Sequence, residues 1–322
     1  MILALIQEKS VNLVNLSLAF QGKTKPESSY RRLKRFFAEV RLDQLQVARL
    51  VLGFLPPPPY TLCLDRTNWQ FGRLDINILV IAIAHRGTAF PVVWTLLDKP
   101  GNSSCAERIE LLKRCLALMK AEDITFLLAD REFIGENWFH YLDKRRVPFA
   151  IRIRKDSLCD SLCSVSALFS HLPSGELKLL NQSYRIHGCN VRLAGMKLSA
   201  HDYAIIATNR PPAQAFLAYQ RRWDVEMLFS DLKTTGFDLE STHLAYAKLD
   251  TLFALLAIAF AWAHHVGEWL HDTRRKPLRR KSHLRREKSF FRHGLDHLRH
   301  LLKNLPFKHR DLLLAIRLLS RT

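Results

Sequence analysis

The segment Tyr60–His85, YTLCLDRTNWQFGRLDINILVIAIAH, carries the texture that decides the fold. It contains two β-rich runs, TLCLDRTNW at 61–69 and INILVIAIAH at 76–85, and TAFPVVWTLL at 88–97 is a third. Short turns around Gly72 and Arg86-Gly87 divide them, as in an antiparallel meander. A helical stretch, Cys105–Ala121, comes next. In DITFLLADREF, residues 123–133, the apolar run Ile124–Ala129 reads as a buried strand that ends at Asp130. Asn137–Arg146 has a helical pattern and Pro148–Arg154 that of a fifth strand. Three strands, a helix, a strand, a helix and a strand form the element order of a ribonuclease-H-like mixed α/β sheet.

On the N-terminal side, Met1–Gln21 has apolar residues at helical spacing. A second helix is expected after Ser28/Ser29 as N-cap, with Leu33, Phe36 and Phe37 on its apolar face. Arg31, Arg32, Lys34 and Arg35 crowd the rest of that helix, which reads either as part of a small DNA-binding unit or as a basic helix packed on the next domain. A third helix, Leu42–Leu55, is stopped by Pro56–Pro59.

Beyond the fifth strand, residues 156–200 are Ser- and Gly-containing with short alternating runs, the texture of a small β insertion rather than a continuation of the main fold. Tyr203–Thr208 is a further strand, and Pro211-Pro212 opens a helix that Gly236 is placed to end. A long apolar helix covers Leu249–Leu270. Between Arg274 and Arg292 stand ten Lys/Arg and one acid, Glu287. Leu295–Leu319 is basic and amphipathic. The expected division is a helical N-terminal DNA-binding unit at 1–58, the ribonuclease-H-like core at 59–155 and 201–240, the insertion at 156–200, and a basic helical C-terminal region at 241–322.

Composition narrows the function. With 322 residues, 48% of them hydrophobic, the chain can bury a full core, and a formal charge of +19 calls for a polyanionic partner. Nucleic acid fits before an anionic membrane. The longest apolar run, Leu252–Ala263, falls short of the ~18–20 residues that span a bilayer, and MILALIQEKS lacks the pattern of a secretory signal; a cytoplasmic protein with no membrane partner is expected. Cysteines at 63, 105, 115, 159, 163 and 189 show no zinc spacing. Cys159, Cys163 and Cys189 form at most a partial metal site, and reduced buried thiols are the simpler expectation.

The chemistry-bearing stretch is YQRRWDVEMLFSDLK at 219–233. Read as an α-helix, Tyr219, Arg222, Glu226 and Lys233 fall within an arc of roughly 60°. Trp223 and Phe229 flank this charged line, which suggests the wall of a cleft. Asp65 is expected to close the first strand and Asp130 the fourth. Those strands are neighbours in such a sheet, so the two carboxylates can meet at one edge. Convergent acids of this kind are what two-metal phosphodiester chemistry requires, with ions roughly 3.5–4 Å apart.

The spacing Y-x2-R-x3-E-x6-K, downstream of Asp65-Arg66-Thr67 and Asp130-Arg131-Glu132-Phe133, resembles the signature of the DDE transposases of the insertion-sequence-four family, over residues from about 10 to about 300. The resemblance implies a bacterial, nucleoid-associated enzyme that cuts DNA at its element's terminal inverted repeats and joins the 3′-hydroxyl ends to target DNA. It implies Asp65, Asp130 and Glu226 as catalytic residues and ligands of two Mg2+ ions, with Mn2+ able to substitute. Tyr219, Arg222 and Lys233 would contact phosphates near the cut. The charge runs add Arg31, Arg32, Arg279, Arg280, Arg285 and Arg286 as DNA contacts, and double-stranded DNA and a homodimer assembled on DNA ends as partners. Glu132 is a spare acid suited to a supporting role. Family members that cut through a hairpin commonly use a tryptophan in the β insertion; residues 156–205 contain none, only Phe169, Tyr184 and Tyr203. The alternatives are a catalytically silent, transposase-derived DNA-binding protein and a metal-dependent nuclease of the same fold.

Overall fold

The structure, a computed structural model, describes residues 1–20, 25–72, 74–160, 163–199, 202–279 and 286–320. The N-terminal part is four helices: α1 (Ile2–Glu8), α2 (Leu13–Leu18), α3 (Pro26–Glu39) and α4 (Gln44–Leu52). The helical pattern of the first twenty residues breaks in two because Lys9 turns left-handed, at φ 56°, and Asn12 starts a new helix by accepting from the Val14 N–H. α3 starts at Pro26, earlier than Ser28/Ser29, since proline at the first helical position loses no hydrogen bond. It buries Ser29, Leu33 and Phe37 and leaves Arg31, Arg32, Lys34 and Arg35 exposed. Asp43 caps α4 through the Gln46 N–H.

Among the described residues ten strands follow in two sheets. β1 (Tyr60–Phe71), β2 (Leu74–His85) and β3 (Thr88–Leu96) form the expected meander. α5 (Cys105–Leu116), opened by a reciprocal Ser104–Glu107 capping box, leads to β4 (Ile124–Ala129), and α6 (Glu136–Lys144) leads to β5 (Phe149–Ile153). β6 (Leu158–Cys159) and β7 (Cys163–Ser164) pair with each other. β8 (Leu177–Ile186), β9 (Cys189–Lys197) and β10 (Tyr203–Thr208) complete the set. The main sheet has the order β3-β2-β1-β4-β5-β10-β9-β8, with β1, β4 and β5 parallel and the other neighbours antiparallel. An antiparallel three-stranded meander whose first strand is joined by parallel strands through helical crossovers is a ribonuclease-H-like core.

Two expectations are corrected. The β-rich insertion does not stand apart, because its β8–β9 hairpin continues the main sheet through β10. And β1 does not close at Asp65: it runs on to Phe71, paired throughout with β2, while its ladder with β4 ends at Leu64 opposite Ala129.

Helices cover both faces. Alternating strand residues such as Leu62, Leu64, Leu127 and Ala129 pack with Leu111, Leu112, Trp138 and Phe139 of α5 and α6. Cys63, Trp69, Val80 and Leu128 pack toward α7 (Pro212–Tyr219), α8 (Trp223–Leu232) and α9 (Tyr246–Asp272). The 27-residue α9 extends well past its apolar run. By length and composition it could cross a membrane, yet 89% of its most apolar window is buried inside the fold. It is the core helix: the Trp94 indole on β3 donates to Asp250 at 2.8 Å, and the Trp262 indole donates to the Ala315 carbonyl at 2.9 Å. All six cysteines are free, four of them buried.

α10 (Phe290–Lys303) crosses α9 where two glycines meet, and α11 (Leu305–Leu319) closes the bundle. A Cβ on Gly267 would lie 1.9 Å from the Phe290 carbonyl oxygen, and one on Gly294 1.8 Å from that of Ala263. Backbone lies on both sides of this contact, so neither helix can yield without moving as a unit. Gly294→Ala is expected to lower stability by about 1–3 kcal/mol, the usual cost of overpacking, as read from urea denaturation; an unchanged midpoint would mean the crossing is loose.

Candidate active site

Strand alternation decides where Asp65 points. Cys63, Asp65, Thr67 and Trp69 lie on the β1 face that meets α8 and α9. The register Leu64 opposite Ala129 places Asp65 beside Asp130, one step beyond the last parallel pair. Each carboxylate accepts from the next backbone N–H, Asp65 Oδ1 from Arg66 at 2.8 Å and Asp130 Oδ1 from Arg131 at 2.6 Å. These local bonds hold both side chains back along their own chain. Burial pushes the Asp65 carboxyl up to about 7; nearby Glu226 and Asp130 add to the rise, while the Arg66 N–H and Arg222 oppose it.

Glu226 comes from α8, near its N-terminus, where the helix dipole favours an acid. The stretch from Tyr219 to Lys233 is not one regular helix. α7 ends at Tyr219, a 3-10 turn covers Gln220–Arg222, and α8 begins at Trp223. Arg221 braces this turn by donating to Thr61 Oγ1 at 3.2 Å and to the Ala84 carbonyl. The tighter turn changes the expected stripe. Arg222 is buried, 8% exposed, with one guanidinium nitrogen 3.2 Å from Glu226 Oε1 and 3.5 Å from Asp65 Oδ2. Its plane lies 4.9 Å from the ring of Trp223. Trp223 is 65% exposed, whereas Phe229 is buried in the core, so the aromatics do not flank the stripe equally.

The other two members of the signature differ: Tyr219 is buried, and Lys233 is already paired. The Tyr219 hydroxyl is buried with no partner among the described residues, and burial raises its pKa. Lys233 follows the last residue of α8, where ψ of −114° leaves the helix; its Nζ is 2.8 Å from Glu240 and 3.2 Å from the Asn68 carbonyl. Gly236, expected to end the helix, lies after that end and is not left-handed. A Cβ there would be 1.8 Å from the Asp231 carbonyl oxygen, so this glycine serves a close approach instead.

Beside Asp130 opens a cavity of about 610 Å³, lined by Asn102, Arg131, Glu132, Arg152, Arg154 and Tyr203 among others. Arg152 donates to the Tyr203 carbonyl at 3.1 Å. The sequence reading missed this basic wall, although its signal was present: IRIRK at 151–155 alternates charge with apolar residues, so one face of the strand end is cationic. Arg221 was missed too, because on an ideal helix it lies off the stripe. Of the expected DNA contacts outside the core, Arg31 and Arg32 are exposed on α3. Arg279 is exposed, and the Arg286 guanidinium lies 4.1 Å over the Phe290 ring. Arg280 and Arg285 lie outside the described residues.

The three acids suit a hard divalent cation in kind, being carboxylate oxygens. Their arrangement is not a ready-made cage. Among the described residues no three His, Cys, Asp or Glu side chains are grouped to hold a metal, and Arg222 bridges Asp65 and Glu226.

No curated protein matches the chain. Among solved structures it is similar to the HTLV-2 integrase catalytic core domain in complex with magnesium (dimeric form), at 11% identity over 30% of this chain and 61% of that one, TM-score 0.24. It is similar to a chain of the simian T-cell lymphotropic virus intasome in complex with PP2A regulatory subunit B56 gamma, at 12% identity over 48% and 52%, TM-score 0.26. A third similarity is to endonuclease V from Bacillus subtilis, at 11% identity over 73% and 96%, TM-score 0.29. The chain thus spans less than two thirds of the first two, 61% and 52%. The family profile described as "Transposase DDE domain" matches residues 56–262, a stretch that is more than half of the 322 residues and contains Asp65, Asp130 and Glu226. The chain belongs to the transposase DDE domain family.

Proposed function

We propose that this protein is a DNA transposase of the insertion-sequence-four family, which cleaves phosphodiesters at the terminal inverted repeats of its element and joins the 3′-hydroxyl ends to target DNA. The observation that carries the reading is the register Leu64 opposite Ala129, which puts Asp65 and Asp130 next in line beyond the β1–β4 ladder, with Glu226 of α8 joined to Asp65 through Arg222. Two acids at the end of one ladder and a third linked to them through an arginine, in a protein of charge +19, support the reading.

In this reading Asp65, Asp130 and Glu226 would hold two Mg2+ ions, for which Mn2+ could substitute. When bound, the ions activate the attacking oxygen and stabilise the leaving one. The chain's own groups do the rest. The Arg222 fork, now paired with carboxylates, would turn to a DNA phosphate as the acids take up cation. Lys233 supplies a point charge at the far end of α8. Arg131, Arg152 and Arg154 border the path of the strand beside Asp130. The exposed arginines of α3 and the run from Arg274 to Arg292 bind DNA away from the cut. The enzyme would work at the bacterial nucleoid as a dimer assembled on paired DNA ends, with exposed cations of the N-terminal helices and of the C-terminal region beyond α9 binding DNA.

A catalytically silent DNA-binding protein is the rival reading, and the Arg222 bridge favours it, since Glu226 is already paired. Strand nicking of an oligonucleotide carrying the element's end separates the two. Wild type should nick in Mg2+. Glu226→Gln, Asp65→Asn and Asp130→Asn should each lose at least 100-fold in rate while binding DNA within a few-fold of wild type. No nicking by bound wild-type protein would sink the enzyme.

The raised Asp65 value has a sign in stability. Its folded carboxyl, at about 7, keeps a proton that the unfolded chain gives up from its ordinary 3.8. Stability therefore falls as pH rises from about 4 to about 7. In EDTA, Asp65→Asn should melt a few degrees above wild type at pH 8, and the gap should shrink at pH 5. A gap of the same size at both values would remove Asp65 from the account.

Replacing Arg274, Arg275, Lys276 and Arg279 by Gln should flatten the dependence of log affinity on log salt, by up to about one unit per lost phosphate contact. A slope equal to wild type would leave that run in solvent.

A further inference from the structure

We propose that Arg66 and Glu132 are positioning residues: their ion pair sets the spacing of Asp65 and Asp130 beyond the end of the ladder. The proposal rests on the reading of the two aspartates as cation ligands.

The backbone explains why such a device is needed. Parallel bonding between β1 and β4 stops at Leu64 and Ala129. Past that point β1 continues with β2 alone, and the chain after Ala129 enters a turn closed by the Phe133 N–H on the Asp130 carbonyl at 2.9 Å. Asp65 and Asp130 are thus the first residues without the ladder to hold them together. The next cross-link is the ion pair, one residue after Asp65 and two after Asp130. Arg66 Nε donates to both Glu132 carboxylate oxygens, at 2.7 and 2.9 Å, and its Nη2 donates to Asn102 Oδ1 at 3.1 Å. Both side chains are largely shielded, 18% and 20% exposed, so water weakens the pair less than it would a surface bridge.

A second arginine fixes the frame from behind. Arg108 of α5, 5% exposed, donates to the carbonyls of Glu132 and Ile134 at 3.1 Å each, and to the Ser103 carbonyl and hydroxyl at 2.7 and 2.9 Å. The turn that carries Asp130 and the loop that carries Asn102 are therefore tied to one helix, and Arg66 ties β1 to both. Strand alternation puts Arg66 on the sheet face opposite Asp65. Arg66 thus reaches the site from the far face of β1, while Glu132 stands on the wall of the cavity beside Asp130. The clamp of Arg66 on Glu132 also accounts for the fourth acid of this edge, since both Glu132 oxygens are committed to Arg66.

Mn2+ titration of the DNA-free full chain by calorimetry, with thermal melts in parallel, tests this. Glu132→Gln and Arg66→Gln should each weaken Mn2+ binding roughly 10- to 100-fold, as loss of a partner behind a metal ligand does. The exchanged double variant Arg66→Glu/Glu132→Arg should bind more tightly than either single variant, and Asp130→Asn should lose the site. Single variants that bind Mn2+ within twofold of wild type, while Asp130→Asn does not, overturn the clamp and leave the ligand reading standing. Lower melting temperatures with unchanged Mn2+ affinity, or an exchanged variant no better than the singles, also overturn it. Wild-type affinity in Asp130→Asn would instead remove the ligand reading, and the clamp with it.

Discussion

Everything at this edge of the molecule depends on where two parallel strands stop bonding. The β1–β4 ladder brings residues 65 apart in the chain into register and ends just before both aspartates. A ladder that continued would use their backbone N–H groups in the sheet. Because it ends, the N–H groups of Arg66 and Arg131 turn to the carboxylates instead. The same termination that satisfies the backbone orients the acids.

Charge balance around that edge is the second constraint. Asp65 is mostly shielded from water with two other acids nearby, an arrangement that costs free energy unless positive charge is supplied. Two arginines divide the work. Arg222 lies between Asp65 and Glu226 on one face of the sheet, and Arg66 neutralises Glu132 beside them. The Arg222 bridge also links α8 to β1, so the position of Glu226 is coupled to the charge state of Asp65.

Much of the architecture could be read from residue patterns. The meander, the apolar run before Asp130 and the capping residues are local, and local signals survive folding. Departures came where the chain answers to distant neighbours. β10 offered an open edge, and the hairpin of residues 177–197 filled it, turning an insertion into two further strands of one sheet. The stripe from Tyr219 to Lys233 assumed uniform helical rotation, whereas Arg221 reaches Thr61 and Ala84 on the sheet and tightens the turn before α8.

The amino-acid order alone determined that two strand-borne aspartates and a helical glutamate would share an α/β fold of strongly basic character, because strand and helix periodicities are written in neighbouring residues. Only the tertiary structure decided that Arg222 stands between the acids, that Tyr219 is buried, and that Arg66 pairs with Glu132 across 66 residues. Those contacts depend on register and on the ends of ladders, and pairing between distant segments leaves no mark on the sequence that either segment carries by itself.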